Sequence, residues 1–595
     1  MTPRLDARRT CAPTGLPSAD HAVAHTLLNC LLREVSAPEH QTAVIDDHLL
    51  VRLPRRGTLL RVALRRTSLS GAHRFTGPVV AHTAEGAREL GWRELAEQVE
   101  AELGHRGGTA NDEFLAQLAS SHAGVAAALA DRPEPGPDRY LESEQALLFG
   151  HRFHPSPKAR SAGRTADAAA WSAYAPEARA AFRLRHLAVR AELLAEDTAD
   201  PVATALLDGL RGDLPAGYRL LPAHPWQYSL LRGHPALTAA LGRGDVLDLG
   251  PGGTPFTATA SVRTLYGAGA FLKFSLNVRI TNCLRKNAAY ELTGAVALTR
   301  LLAGPLADLA RRFPDASVLR EPAFRTLALP GPDGRPDTAL YEGLGLIVRE
   351  GLAGAVRPGL TPLLAAAVAD EYPTSSAQIA ALLDGAGPAA ARDWWARYLR
   401  LVVPPVLAAY FDHGVVLEPH LQNVLVCVDA AGRPRQVLFR DLEGTKLLPG
   451  HHAEALAALP PEVAGPMSYD ADRGWDRVVY CLLVNHLAEL LAALADQAPP
   501  ARAGGLEAAL WAELRTVLAE CADAHGRPAR LTALLDGAPL PAKANLLTRW
   551  ERRPDREAGY VRLPSPLAPE VLAEAALSGG SALSGGSALS GGAAR

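Results

Sequence analysis

The sequence predicts a multidomain chain that mixes helices with small antiparallel sheets. At 595 residues it exceeds what one hydrophobic core supports, so about two to four packed units are expected. Leucines at helical spacing and strand-like alternation recur along the whole chain. Turn-rich breaks at 131–138 and 384–388 divide it.

Taken in order, residues 21–35 carry Leu27, Leu28, Leu31 and Leu32 on one helical face. Segments 49–53 and 59–64 form a strand pair turning at Arg55-Arg56-Gly57. In the middle, 178–196 and 287–302 are predicted helices. Residues 257–287 form a hairpin with its turn at Gly267-Ala268-Gly269, followed by a helix. Along its second strand Leu272, Phe274, Leu276, Val278 and Ile280 share one face, and Lys273, Ser275, Asn277, Arg279 and Thr281 the other. Thr281 or Asn282 would cap the next helix and place Arg285 in its first turn, where helix N–H groups already favour anions. A Trp-rich helix after Arg392 leads into strands 424–428 and 436–439, then helices near 475–494 and 505–523. The last residues, 577–592, repeat Leu-Ser-Gly-Gly-Ser-Ala and read as a flexible tail.

Composition is globular, 48% hydrophobic and 21% charged, and the net charge of -2 gives no bulk attraction to nucleic acid or an anionic membrane. An anionic ligand must be held by local clusters. Six scattered cysteines without CxxC spacing suit a reducing compartment. The N-terminus lacks the apolar run of a secretory signal, and no uninterrupted apolar stretch approaches the roughly 18 residues that span a bilayer. A soluble, cytoplasmic protein is expected.

Three clusters carry chemistry. Residues 150–160 place His151, His154, Lys158 and Arg160 in a loop stiffened by Pro155 and Pro157. Such a loop suits a polyphosphate or polycarboxylate, with a solvated loop or a zinc-binding histidine pair as alternatives. The polar strand face and Arg285 form the second cluster. The third flanks the C-terminal hairpin: Glu418, His420, Gln422 and Asn423 on one side, Arg440, Asp441, Glu443 and Gly444 on the other. Buried polar groups at one end of a hairpin need a partner, and Mg²⁺ with nucleotide phosphates would supply one to Glu418 and Asp441. Arg440 is expected to pair with Glu443. His224, in His-Pro-Trp-Gln, reads equally as structural or ligand-binding.

With these motifs in order, together with Lys543-Ala-Asn545 and Arg549, residues 20–565 resemble the IucA/IucC family of siderophore synthetases. The resemblance implies an α+β, multidomain cupped-hand fold with mixed antiparallel sheets and flanking helices. Its thumb would be residues 1–135, its fingers 136–390 and its palm 391–566, followed by a tail at 567–595. It implies an enzyme that uses ATP and Mg²⁺ to adenylate citrate or a related acid, then condenses it with an amine or hydroxyl. By the same resemblance His154, Lys158, Lys273 and Arg285 would meet phosphates, and Gln422 and Asn423 the nucleotide. Ser261, Arg263, Thr264, Thr281, Asn282 and His420 would hold the acid, and Glu418 and Asp441 the metal. Arg285, His420 and Lys273 would be catalytic, and a homodimer is possible. Two rivals are a small-molecule phosphotransferase with a kinase-like His/Asn/Asp site and a ferric-siderophore binding or reductase module. The first lacks a Gly-rich loop and the second a cysteine cluster for iron–sulfur ligation.

Overall fold

The computed structural model describes residues 15–161, 173–280, 283–554 and 557–580. Helix Ala19–Leu31 starts where the Ser18 side chain accepts a hydrogen bond from His21 N–H, and it runs on as a π-helical turn over Leu32–Ser36. It packs on a five-stranded antiparallel meander whose strands follow chain order. Alternation along Thr58–Arg66 sends Leu60, Val62 and Leu64 inward, against Leu27, Leu28 and Leu31. The predicted strand pair is present, with Leu53 opposite Thr58 and Gly57 at φ +61° in the turn.

An eight-stranded antiparallel sheet fills the middle of the chain. Its strand Ala181–Arg190 occupies part of the segment expected to be helical at 178–196. Ala, Leu and Arg there favour a helix locally, but pairing with Val246–Ala258 on one side and Tyr218–Ala223 on the other decides the outcome.

The 257–287 region also differs from expectation. Its second strand breaks at Ser275 into Ala270–Phe274, in the large sheet, and Leu276–Ile280, in a separate three-stranded sheet. Cys283–Arg285 is a strand with Arg285 opposite Leu276, so Arg285 does not sit in a helical first turn. The helix begins only at Ala289, where the Glu291 carboxylate accepts from Ala288 N–H at 2.9 Å. Asn287 causes the delay: its buried side-chain amide donates to the Lys273 and Gly345 carbonyls, and its N–H donates to Ser275 Oγ.

The C-terminal hairpin Val424–Val428 and Pro434–Phe439 is the centre of a four-stranded sheet completed by Ala316–Val318 and Thr361–Leu364. Helix Gly387–His413 covers it and Pro500–Ala524 packs on that helix, with Trp394, Trp395 and Trp511 in the shared core. Among the described residues one helix, Ala471–Ala495, is long and apolar enough on average to cross a membrane by length and composition, although polar residues interrupt its apolar runs. Its apolar window is wholly buried in this core. Helix Pro569–Gly580 packs on Pro500–Ala524, so the expected tail at 567–595 is helical over its first part. Residues 581–595 lie outside the described residues.

The N-terminal unit is tied to the C-terminal region. Glu34 accepts from the Leu546 and Leu547 amides at 2.9 Å each, capping helix Asn545–Trp550. Buried Arg66 and Arg74 both hold Asp496 at 2.8 Å.

Candidate active site

The C-terminal hairpin carries its polar residues to one end because Val424 pairs with Phe439, which sets Asn423 beside Arg440. Arg440 is buried and bidentate on Glu144, at 2.5 and 3.1 Å, rather than paired with Glu443 as expected. Asp441 follows at φ +74°, the left-handed region that costs a non-glycine residue about 1 kcal/mol. This turn sends Asp441 Oδ1 to Lys273 Nζ at 2.6 Å and Arg349 Nη2 at 2.5 Å. Beneath them Glu321 accepts from Arg349 at 2.6 Å and from Glu443 N–H at 2.7 Å. Burial alone would raise the Asp441 carboxyl, but Lys273 and Arg349 hold it well below the usual range. Burial opposes charge on Lys273 too, yet Asp441 and Glu443 hold its pKa up.

Glu418 Oε1 meets Arg477 Nε at 2.9 Å. Its Oε2 and Asp441 Oδ2 both lie within 4 Å of one point beside Gly444. Each carboxylate thus has one oxygen held by a cation, and the second oxygens of both lie beside Gly444. Two carboxylates lining one cavity suit Mg²⁺, which takes one or two protein carboxylates alongside substrate phosphates. Among the described residues no group of three or more His, Cys, Asp or Glu side chains forms a metal cage, so the zinc reading of the histidine loop gains nothing.

These groups open on a cavity of about 540 Å³, within the range of small-molecule sites. The basic loop forms another wall. Gly150 is required there: its φ is +76°, and a Cβ would stand 2.8 Å from Pro157 Cβ. His154 Nδ1 accepts from Ser156 N–H, Lys158 lies 3.4 Å from Glu177, and Arg160 lies 2.6 Å from the same carboxylate. Burial opposes the charge on Glu177, but Lys158 and Arg160 pull it down to about 2. Lys158, His154, Arg285, His420, Gln422, Glu418 and Asp441 all line this one cavity.

Other expected contact residues stand behind the wall. Lys273 is 1% exposed and anchors Asp441. Ser261 Oγ and Thr264 Oγ1 bond each other at 2.9 Å, and Arg263 donates to Asn287 Oδ1 at 2.7 Å. Together they shape a turn whose Ala260 and Val262 face the cavity. Asn423 donates to the Glu418 carbonyl, holding the loop that carries Glu418 and His420. Thr281 and Asn282 lie outside the described residues. Glu144, Glu177, Glu321, Arg349 and Arg477 went unnoticed in the sequence because no spacing ties any of them to the three clusters. Lys543 also lines the cavity, consistent with its motif.

Burial disfavours the charged form of several histidines in and around the site. Burial lowers the His420 pKa against the pull of Glu418 and Asp441. It pushes His151 and His224 down to about 3, and His73 and His486 down to about 4. His151 Nε2 pairs with the Asn485 amide, and His224 Nδ1 caps helix Pro225–Leu231, which is a structural role. Unfolded imidazoles bind protons near pH 6.5. Between there and about pH 4 the unfolded chain therefore carries more protons, and stability falls as pH falls. Burial pushes Glu34 up to about 8 and Asp370 up to about 6, which works in the opposite direction. Near pH 5.5 these groups leave a balance of about two protons, worth about 3 kcal/mol per pH unit. A lower urea midpoint at pH 5.5 than at pH 7 is expected; equal midpoints would contradict this balance.

Comparison with known proteins gives two family matches: the IucA / IucC family over residues 139–370 and the ferric iron reductase FhuF-like transporter family over residues 392–558. In the second region Cys427, Cys481 and Cys521 are each buried. The rhizobactin siderophore biosynthesis protein RhbC of Rhizobium meliloti is 30% identical over 92% of this chain and 98% of its own length. A spermidine-citrate ligase of Bacillus anthracis is 27% identical over 93% and 98%. The ATP-bound aerobactin synthetase IucA from a hypervirulent pathotype of Klebsiella pneumoniae superposes with a TM-score of 0.79 at 26% identity, covering 92% of this chain and 99% of that one.

Proposed function

The chain belongs to the IucA/IucC family, and from that premise we propose that it is a siderophore-building ligase that adenylates citrate or a similar acid and couples it to an amine or hydroxyl. The observation that carries the reading is the shared cavity, where Lys158, Arg285 and His420 converge with the paired carboxylates of Glu418 and Asp441. The ATP bound to the Klebsiella synthetase and the citrate named for the Bacillus ligase supply the two anions that such a cavity would join.

In this reading His154, Lys158 and Arg285 hold the phosphates of ATP, with Gln422 and Asn423 on the nucleotide side. His420, kept neutral by burial, orients the acid, and the 261–264 turn shapes that side of the pocket. Glu418 Oε2 and Asp441 Oδ2 would hold Mg²⁺, which when bound neutralises phosphate charge. Lys273 and Arg349 fix the Asp441 carboxylate. A carboxylate oxygen of the acid bonds to the α-phosphorus while the bond to pyrophosphate breaks. The nucleophile then attacks the acyl carbon, the C–O bond to AMP breaks, and the nucleophile's proton passes to solvent. The cations cancel the repulsion between two anions, and the walls position them, so no covalent enzyme nucleophile is needed.

The test is product analysis with citrate, ATP and a panel of amines. AMP and pyrophosphate in equal amounts are expected. ADP with inorganic phosphate or a phosphorylated substrate would contradict the reading.

A further inference from the structure

Two residues of the cavity wall hold backbone angles that disfavour them. Val262 has φ +67° and Asp441 has φ +74°, both in the left-handed region, where a β-branched residue such as Val262 is a genuine outlier. Such angles persist only where the surroundings over-determine them. Val262 belongs to the 259–264 turn on the acid side of the proposed site. Asp441 begins the turn that carries a carboxylate to the metal side.

One buried ion pair reaches both turns. Arg440, directly before Asp441, is bidentate on Glu144, and its Nε donates to the Gln422 carbonyl at 3.0 Å. Its own N–H donates to the Asn423 carbonyl at 2.9 Å. Glu144 ends helix Arg139–Glu144 and is fully buried. Its Oε1 accepts from the Tyr140 hydroxyl at 2.9 Å, and its Oε2 accepts from Ala260 N–H at 3.0 Å. The Ala260 carbonyl accepts from the Gln422 side-chain amide at 2.9 Å. Both backbone polar groups of Ala260 are thus gripped from outside the turn, two residues before the strained Val262. Within the turn, Thr259 Oγ1 donates to the Thr264 carbonyl at 2.7 Å, and Ser261 bonds Thr264.

The residue type follows from these two tasks together. Arg440 is buried and needs a counter-charge, which any carboxylate at that spot would supply. The Ala260 N–H needs only an acceptor. A glutamate has the length to serve both with one carboxylate, and the bond it accepts from Ala260 is charge-assisted and therefore strong. We propose that Glu144 is a positioning residue for the acid substrate: through Ala260 N–H it holds the strained 259–264 turn in register with the Asp441 turn that Arg440 carries. This rests on the ligase reading above.

The test measures pyrophosphate release with Mg·ATP, citrate and hydroxylamine as a trap, replacing citrate with other di- and tricarboxylic acids if it is refused. Glu144→Asp keeps a charge for Arg440 but is one methylene shorter. The buried ion pair outweighs a bond to a neutral N–H, so the Ala260 tie is the one lost. In this variant the KM for the acid is expected to rise at least about tenfold, while the KM for ATP stays within about twofold and the urea midpoint stays near that of the wild type. Gln422→Leu removes the other tie, at the Ala260 carbonyl, without leaving a buried charge unpaired, and is expected to raise the KM for the acid about fivefold. It covers the case in which Glu144→Asp fails to fold. An unchanged KM for the acid in Glu144→Asp, or in Gln422→Leu should the first variant not fold, overturns the proposal. An equal rise in both KM values in Glu144→Asp also overturns it, because that pattern marks a general brace. If the wild-type enzyme releases no pyrophosphate with any acid, the ligase reading itself fails and the inference falls with it.

Discussion

Asp441→Asn is expected to lower the rate of pyrophosphate release at least about a hundredfold, the scale seen when one preorganised charged group is removed from a transition state. The substitution preserves size and removes charge from a carboxylate that faces Glu418 across the proposed metal position. It also leaves the buried Lys273 and Arg349 each short of a partner, in a network whose Asp441 is itself partly exposed to the cavity. Breaking one member of a buried ion cluster typically costs about 3–5 kcal/mol. Glu443 and Glu321 remain as partners here, so the low end of that range, about 3 kcal/mol, is expected. Steady-state kinetics and urea denaturation on the same preparation separate the two effects. A destabilised variant whose folded fraction turns over normally would make Asp441 purely structural.

Arg285→Ala is the second large effect. Arg285 is half-buried, lines the cavity and sits on a short strand whose pairing with Leu276–Ile280 runs through the backbone. Removing its side chain should leave the fold intact while pyrophosphate release falls about a hundredfold to a thousandfold. Arg285→Lys should restore part of this, because a lysine supplies the charge without the planar fork that grips phosphate oxygens at two points. An unchanged melting temperature with near-abolished pyrophosphate release is the expected pair of results. Normal turnover in Arg285→Ala would remove that residue from the mechanism.

How far the sequence reveals this arrangement varies with the residue. The hairpin at 424–439 is legible because two short apolar runs, rich in valine, bracket a Gly-containing turn, and no other local structure satisfies that pattern. The polar groups at its open end stand out because buried hairpin ends rarely carry them without a partner. The basic loop is legible because prolines forbid a helix. By contrast, the helix expected at 178–196 and the early helix start at 281–285 fail for a shared reason: distant strands and the buried Asn287 amide settle those segments, and neither leaves a local mark. Lys273 shows the limit most clearly. Alternation assigns it to the polar face, but only the fold shows that this face is covered and that its ammonium supports Asp441. Arg349 and Glu321, which complete that support, are single residues on separate strands or loops with no spacing to connect them.

If one cleft transfers AMP to a carboxylate, as proposed, an oxygen of that carboxylate must leave with AMP. Acid labelled with ¹⁸O in its carboxyl groups, incubated with ATP and an accepted amine, tests it directly. One labelled oxygen in the phosphate of AMP is expected for each amide formed. Label in inorganic phosphate, or AMP free of label, would contradict it.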